Sequence, residues 1–316
     1  MALSRDEANS VSSNFFDKSI TSQVYEKSPF YARLKQRNNV RTSGGNNIQF
    51  PIRHLELGQA ENVDPRQQIT YEQKETRTSG TLPWKYIVGK NMISWDERVA
   101  NTGKAQIVDL IRDKTEELQQ DVLNQFQNNL WSTTQADKAF SSIDTIVDTG
   151  TTYADLAVAD ATEWAAAAED TAETRLHLWG SATSISKRIN DATFGSNYPD
   201  MLVMTRDLFS KFESLADPQR VYRDNSMADI GFEAIKFGRS TALADYACTA
   251  NRLYGIDTSQ FEFRYHPQFN MKTDSWDDLK QAGFPQALVK LVYWAGNLCC
   301  KMRKTSFKYT ALDYTN

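Results

Sequence analysis

The sequence predicts an α+β protein, a mixed body carrying extensions, and three observations carry that prediction. Residues Asn101–Trp131 form one long stretch with helical hydrophobic period. Two segments that alternate apolar and polar residues, Asn47–Leu57 and Leu82–Ile93, come just before it. After it, short strand-like and helix-like segments follow one another without a repeat of 20–50 residues.

The 316 residues suffice for two ordinary domains, or for one body with arms. Apolar residues make up 40% and charged residues 24%, enough for real cores but polar for a compact globule. Long exposed arms would account for the difference. The net charge of −4 and a pI near 5.6 provide no global basic field for nucleic acid. Cys248, Cys299 and Cys300 are too few for a disulfide framework, which fits a reducing compartment. Met1–Ser10 is polar and carries Arg5, Asp6 and Glu7, so a secretory signal is not expected. No run approaches the ~20 apolar residues of a membrane span.

The first extension covers residues 1–45. Ser4–Ile20 reads as a short helix with Leu3, Val11, Phe15 and Phe16 as its apolar points. In Ser28–Val40, Phe30, Tyr31 and Leu34 share one helical face, with Pro29 at its start. Gly44-Gly45 then breaks the chain.

From Ile48 the period is two: Ile48, Phe50 and Ile52 alternate with Gln49, Pro51 and Arg53. The alternation slips at His54, as a β-bulge would make it. Gly58–Ser79 is polar, with Pro65 near the tip, and the return strand sets Leu82, Trp84, Tyr86 and Val88 on one face. Pro51 and Pro83 mark edge strands. Residues 46–93 therefore read as one long two-stranded hairpin. Such a ribbon is marginal alone in water, so a neighbouring copy is expected to cover it.

The helix places Ile107, Ile111, Leu118, Val122, Phe126 and Leu130 on one stripe, reinforced by Leu110 and Leu123, with Asn101 or Thr102 as its cap. No heptad seam with flanking charges is sustained. Ser132–Leu156 reads as a linker and Thr171–Asp191 as a helix. PDMLVMT (Pro199–Thr205) reads as a buried strand running into a helix at Arg206–Leu215. Further strands are expected at Ala234–Phe237, Gln260–His266 and Leu288–Lys301.

Signatures of chemistry are lacking. No nucleotide-binding glycine loop occurs, and His54, His177 and His266 have neither HExxH nor CxxC company. Asp277-Asp278 and Glu169-Asp170 sit in polar stretches and read as solvated, while Cys299 and Cys300 read as buried strand residues. No catalytic group, metal or cofactor is expected.

The order of these elements resembles the tailed-phage major capsid proteins of the HK97 fold. SPFYARL…GGNNIQFPI resembles that family's arm leading into its extended loop, and Asn101–Trp131 its spine helix. YADLAVADATEWAA (Tyr153–Ala166) is similar to the stretch that opens the apical domain. PDMLVMTRDLFSKFESL and ADIGFEAIKFGRSTALADYAC (Ala228–Cys248) resemble that domain's strand, helix and meander, and CTANRLYGIDTSQFEFRYHP the return to the peripheral domain. No single motif is specific; the weight lies in their order and spacing.

The resemblance implies an arm over 1–45 and an extended loop over 46–93. A peripheral domain would take 94–140 and 252–303, with its spine helix over 102–131, and an apical domain 141–251 and 304–316. It implies pentamers and hexamers of an icosahedral phage head around double-stranded DNA, in a virion assembled in the host cytoplasm. An encapsulin-like shell or another virion structural protein is the alternative. Ile48, Phe50, Ile52, Leu82, Trp84, Tyr86 and Val88 would then be inter-subunit contacts, and Phe30, Tyr31 and Leu34 arm anchors. Lys301, Arg303, Lys304 and Lys308 would be either an interior basic patch touching DNA phosphates or a neighbour's acidic face, or an ordinary solvated strand face, the last favoured by the acidic overall charge. Some forty residues precede the hairpin, so no fused scaffolding region is expected. The implied partners are further copies of the chain, a portal, packaged double-stranded DNA, a separate scaffolding protein or none, and optionally a decoration protein. Lys74, Lys85 and Lys90 lie on or near the hairpin, and position alone identifies no cross-link among them.

Overall fold

The computed structural model describes residues 28–53, 58–64, 66–73, 75–94, 96–97, 104–159, 164–216, 221–223, 234–278 and 287–314. The helix expected over Ser4–Ile20, the bulge at His54, the tip residue Pro65, and the caps Asn101 and Thr102 lie outside them. The described residues divide into two compact units. One draws on Met1–Gly44, Trp84–Ser142 and Phe263–Leu298, the other on Gly45–Pro83, Ile143–Glu262 and Cys299–Asn316.

In the first unit, Pro29 sits in the opening turn of helix α1 (Pro29–Gln36), where its missing N–H costs nothing. The Ser28 hydroxyl caps the turn by accepting from the Tyr31 N–H. Strand β1 (Val40–Thr42) follows. β2 (Asn47–Arg53) and β3 (Arg77–Pro83) belong to the other unit, and β4 (Lys85–Ile93) returns to this one. The long helix α2 (Lys104–Trp131) has 28 residues and a length of about 42 Å. It buries Ile111, Leu118, Val122, Leu123, Phe126 and Leu130. Gly89 of β4 lets the helix come close: a Cβ there would lie 2.3 Å from Val122 Cγ2 and 2.9 Å from Leu118 Cδ1. The Asn91 side-chain amide donates to the Lys114 carbonyl at 2.7 Å, which fixes the strand against the helix.

The unit's aromatic core joins α1, α2 and the late strands. Phe126 lies 5.4 Å from Phe263 and 5.3 Å from Trp294, and Phe140 lies 5.3 Å from Trp294. Phe30 packs edge-on against Trp131 and Tyr31 against Phe126. Removing one central side chain should be costly. Leu118→Ala is expected to lower stability by about 2–5 kcal/mol, read as a shifted urea midpoint; an unchanged midpoint would show that Leu118 has been assigned to the wrong face.

The second unit opens with β2–β3. Its other elements begin with α3 (Ile143–Ile146), β5 (Ala168–Asp170), α4 (Ile185–Asp191), β6 (Met201–Met204), α5 (Arg206–Leu215) and β7 (Val221–Arg223). β8 (Ala234–Phe237), β9 (Ser240–Ala244), β10 (Leu253–Ile256) and β15 (Phe307–Tyr309) complete its main sheet, in the order β5-β15-β10-β6-β9-β8-β7. β6 is buried on both faces, between β10 and the parallel β9, as its unbroken apolar run requires. α5 lays Leu208, Phe209 and Phe212 on the same core as Leu202, Met204 and Phe237.

The first unit's sheet is completed by β11 (Phe261–Tyr265), β12 (Lys272–Thr273), β13 (Asp277–Asp278) and β14 (Leu288–Cys300); it has six strands, with β4, β12 and β13 all paired to β14.

Three expectations are corrected. The hairpin's return strand is β3, with Asn47 opposite Pro83 and Arg53 opposite Arg77; β4 pairs with β14 instead. The run Leu82–Ile93 is two strands broken at Pro83–Trp84, and the buried parity shifts there, from Leu82 to Ile87 and Ile93. Residues 46–93 are thus divided between the two units. The helix over Thr171–Asp191 is confined to Ile185–Asp191, because Gly180 takes a left-handed φ of 79° and Ser184 caps a new start. β10 pairs within the second unit's sheet, so the first unit's late segment runs Phe263–Leu298 rather than 252–303.

Candidate functional site: an exposed sheet face and a buried charge cluster

β4 turns Ile87, Gly89 and Ile93 inward, so the alternate residues point the other way. Tyr86, Val88 and Met92 are exposed by 64%, 53% and 45%. Antiparallel register puts Val88 opposite Tyr293, Lys90 opposite Leu291 and Met92 opposite Val289, all three β14 residues half-buried. Directly paired residues share a face, so this unit carries an apolar surface bearing one lysine. Trp84 lies just before it, half-buried, its ring 5.6 Å from His266. Exposed apolar patches on other proteins are often interaction surfaces.

The other expected contact residues lie elsewhere. Ile48, Phe50 and Ile52 are at most 1% exposed and Leu82 is 5% exposed, all within the second unit. Its own residues cover the hairpin base: Gly80 lies against Phe50, Ile52 and Ala154, and the Thr81 N–H donates to the Ala154 carbonyl at 3.1 Å. These four are therefore core residues, and the expectation that the chain's own body would leave the ribbon uncovered is corrected. The hairpin's far end does carry exposed apolar groups, Val63, Ile69 and Tyr71. Phe30, Tyr31 and Leu34 are likewise buried in the first unit's core, at 0%, 9% and 0% exposure, and are not free to anchor an arm elsewhere.

The basic cluster is dispersed. Lys308 is buried, its ammonium 2.9 Å from Asp148 Oδ2, 3.1 Å from Glu169 Oε1 and 3.6 Å from Asp144 Oδ2. Arg252 and the Tyr254 hydroxyl also bond Asp144. Arg303 is fully buried and donates to the carbonyls of Ile146, Asp148 and Thr151 at 2.6, 2.7 and 3.0 Å. Its guanidinium lies 5.8 Å from each of the Tyr153 and Trp164 rings, which stack on one another. Lys301 pairs with Glu262 at 3.2 Å, and Lys304 lies over the Phe194 ring. Arg303 and Lys308 thus serve the second unit's interior, so both readings of a solvent-facing basic strand are corrected for these two, while Lys301 and Lys304 stay partly exposed.

Burial opposes the charge on Asp148, but hydrogen bonds from Thr151, Lys308 and Gly150 outweigh it and hold this carboxyl well below the ordinary range. Burial pushes the Cys300 thiol up to about 12 and the Cys248 thiol well above its ordinary value, which leaves both un-ionised. Among the described residues no group of His, Cys, Asp and Glu is placed to hold a metal. The acidic partners of Lys308 escaped the sequence reading, although Asp144 and Asp148 bracket the apolar pair Ile146-Val147.

No family model matches the sequence, and no curated protein matches it. Solved structures do. The cyanophage A-1(L) capsid protein superposes with a TM-score of 0.61 at 14% identity, over 87% of this chain and 90% of that one. The capsid protein of the native GTA particle gives 0.58 at 8% identity, over 91% of each chain. That of Myoviridae phage XM1 gives 0.56 at 13% identity, over 88% and 92%. The chain has the HK97-like fold of phage capsid proteins over nearly its whole length.

Proposed function

We propose that this chain is a major capsid protein: a structural subunit, not an enzyme, that closes with its copies into an icosahedral head around double-stranded DNA. The observation that carries the reading is the likeness to three capsid proteins over 87–91% of the chain. The exposed face bearing Tyr86, Val88 and Met92 supports it, since a subunit that works alone has little use for such a surface. Heterologous contacts between copies close into rings of five and six. Each later contact is effectively intramolecular, so modest interfaces add up to a stable shell. A portal, a separate scaffolding protein and a decoration protein are the proposed partners, with assembly in the host cytoplasm. The packaged DNA meets the shell through non-specific contacts, but not through Arg303 or Lys308, which are buried.

Electron microscopy of the purified protein, alone and co-expressed with neighbouring reading frames, tests this. Closed shells or rings of five and six are expected, and a monomer under every condition would overturn the reading. Shells that never contain DNA would favour the encapsulin-like alternative. The double variant Tyr86→Asp/Val88→Asp should leave the chain's own unfolding midpoint within about 0.5 kcal/mol of wild type while reducing assembly. Normal shells from that variant would remove this face from the lattice contacts.

A further inference from the structure

A cleft of about 450 Å³ opens in the second unit between α4 and the β8–β9 turn. Small-molecule sites run from about 300 to 1,000 Å³, mostly apolar with a few convergent polar groups. One wall is aromatic: the rings of Trp179 and Phe237 lie 5.1 Å apart, tilted by 36°. Phe237 is buried and braced by Phe212 at 5.5 Å, so this wall is rigid, while Trp179 stays half-exposed.

The remaining lining mixes apolar Ile189 with Thr193, whose hydroxyl donates to the Ile189 carbonyl at 2.6 Å, and with the polar Ser186, Asn190 and Arg239. Ser186 and Asn190 stand one turn apart on α4 and therefore on one face. Among the described residues neither side chain has a hydrogen-bond partner. Arg239 occupies the β8–β9 turn beside Gly238, whose φ of 60° suits a tight hairpin. Its guanidinium rests 5.8 Å from the Tyr198 ring, and among the described residues no carboxylate pairs with it.

We propose that this cleft binds a uronic-acid residue, free or within a polysaccharide. A sugar ring has an apolar C–H face, which fits the Trp179–Phe237 wall, and a rim of hydroxyls. The Ser186 hydroxyl and the Asn190 amide each both donate and accept, as hydroxyls require. Arg239 only donates, in a fork that matches a carboxylate. A purely apolar ligand would make no use of these three groups, and a phosphate would find a single cation.

The test is calorimetric titration of the full chain with D-glucuronate and with an oligosaccharide of it, against D-glucose and acetate. Saturable binding of the glucuronates is expected, with glucose and acetate weaker by about tenfold or more. The oligosaccharide binding more tightly than the monosaccharide identifies a polysaccharide as the source, and equal affinity identifies the free sugar acid. Arg239→Gln, at an exposed turn, should weaken glucuronate by about tenfold or more with Tm unchanged. Asn190→Ala, also exposed, should weaken glucuronate and glucose alike. No saturable glucuronate binding, equal binding by Arg239→Gln, or acetate binding as tightly as glucuronate would each overturn the proposal.

Discussion

Lys308→Met should destabilise the chain by about 3–5 kcal/mol, because it leaves carboxylates in a buried site without their cation. Methionine keeps the length and the apolar stem, so the loss reports charge rather than volume. The pH dependence separates the two further. In the wild type the Asp148 carboxyl titrates lower folded than unfolded, where its ordinary value is 3.8. Its stabilising contribution is therefore complete above about pH 4 and is lost as pH falls through the folded value. In the variant Asp148 lacks its ammonium, so its folded titration moves up and protonation relieves it. The gap between variant and wild type should be widest near pH 7 and narrow toward pH 4. Urea midpoints at both pH values measure this; a gap independent of pH would assign the loss to packing.

Arg303→Met is the second large expected effect. The carbonyls of Ile146 and Thr151 would lose their donor at once, and that of Asp148, which also accepts from the Ala166 N–H, would lose one of two. Each orphaned buried acceptor costs about 1–3 kcal/mol. The Tyr153 and Trp164 rings would lose their cation as well. Arg303→Lys should recover only a minor part, since one ammonium on a single stem cannot reproduce a planar fork reaching three acceptors. Circular dichroism melts of both variants decide it. Full recovery by lysine would mean that charge alone, not the fork, is what residues 146–151 need.

Elements whose period is local were legible in the sequence. The long helix, the strand at Met201–Met204 with its following helix, the strand at Ala234–Phe237 and the 13-residue β14 fall close to where apolar spacing puts them. Partnership was not legible. The alternation from Leu82 to Ile93 looks continuous, yet it serves two sheets, and only the shift of buried parity at Pro83–Trp84 hints at the break. β3 reads RTSGTLP, too polar to stand out, because Gly80 packs by having no side chain. Lys308 and Arg303 were read as one exposed run, since the acids and carbonyls that neutralise them lie some 140–160 positions earlier. Periodicity distinguishes one face from another; it does not say which distant segment covers that face. The exposed role of Tyr86 and Val88 was within reach of the pattern, and the buried role of Phe30 and Ile48 was not.

The two compact units alternate along the chain in six stretches, so the backbone passes from one to the other five times. No contiguous gene fragment encodes either of them. A recombination event that carried one unit into a related genome would have to exchange three separate stretches and rejoin every seam in frame. Exchange of either unit alone therefore needs several in-frame joins where a contiguous domain would need two.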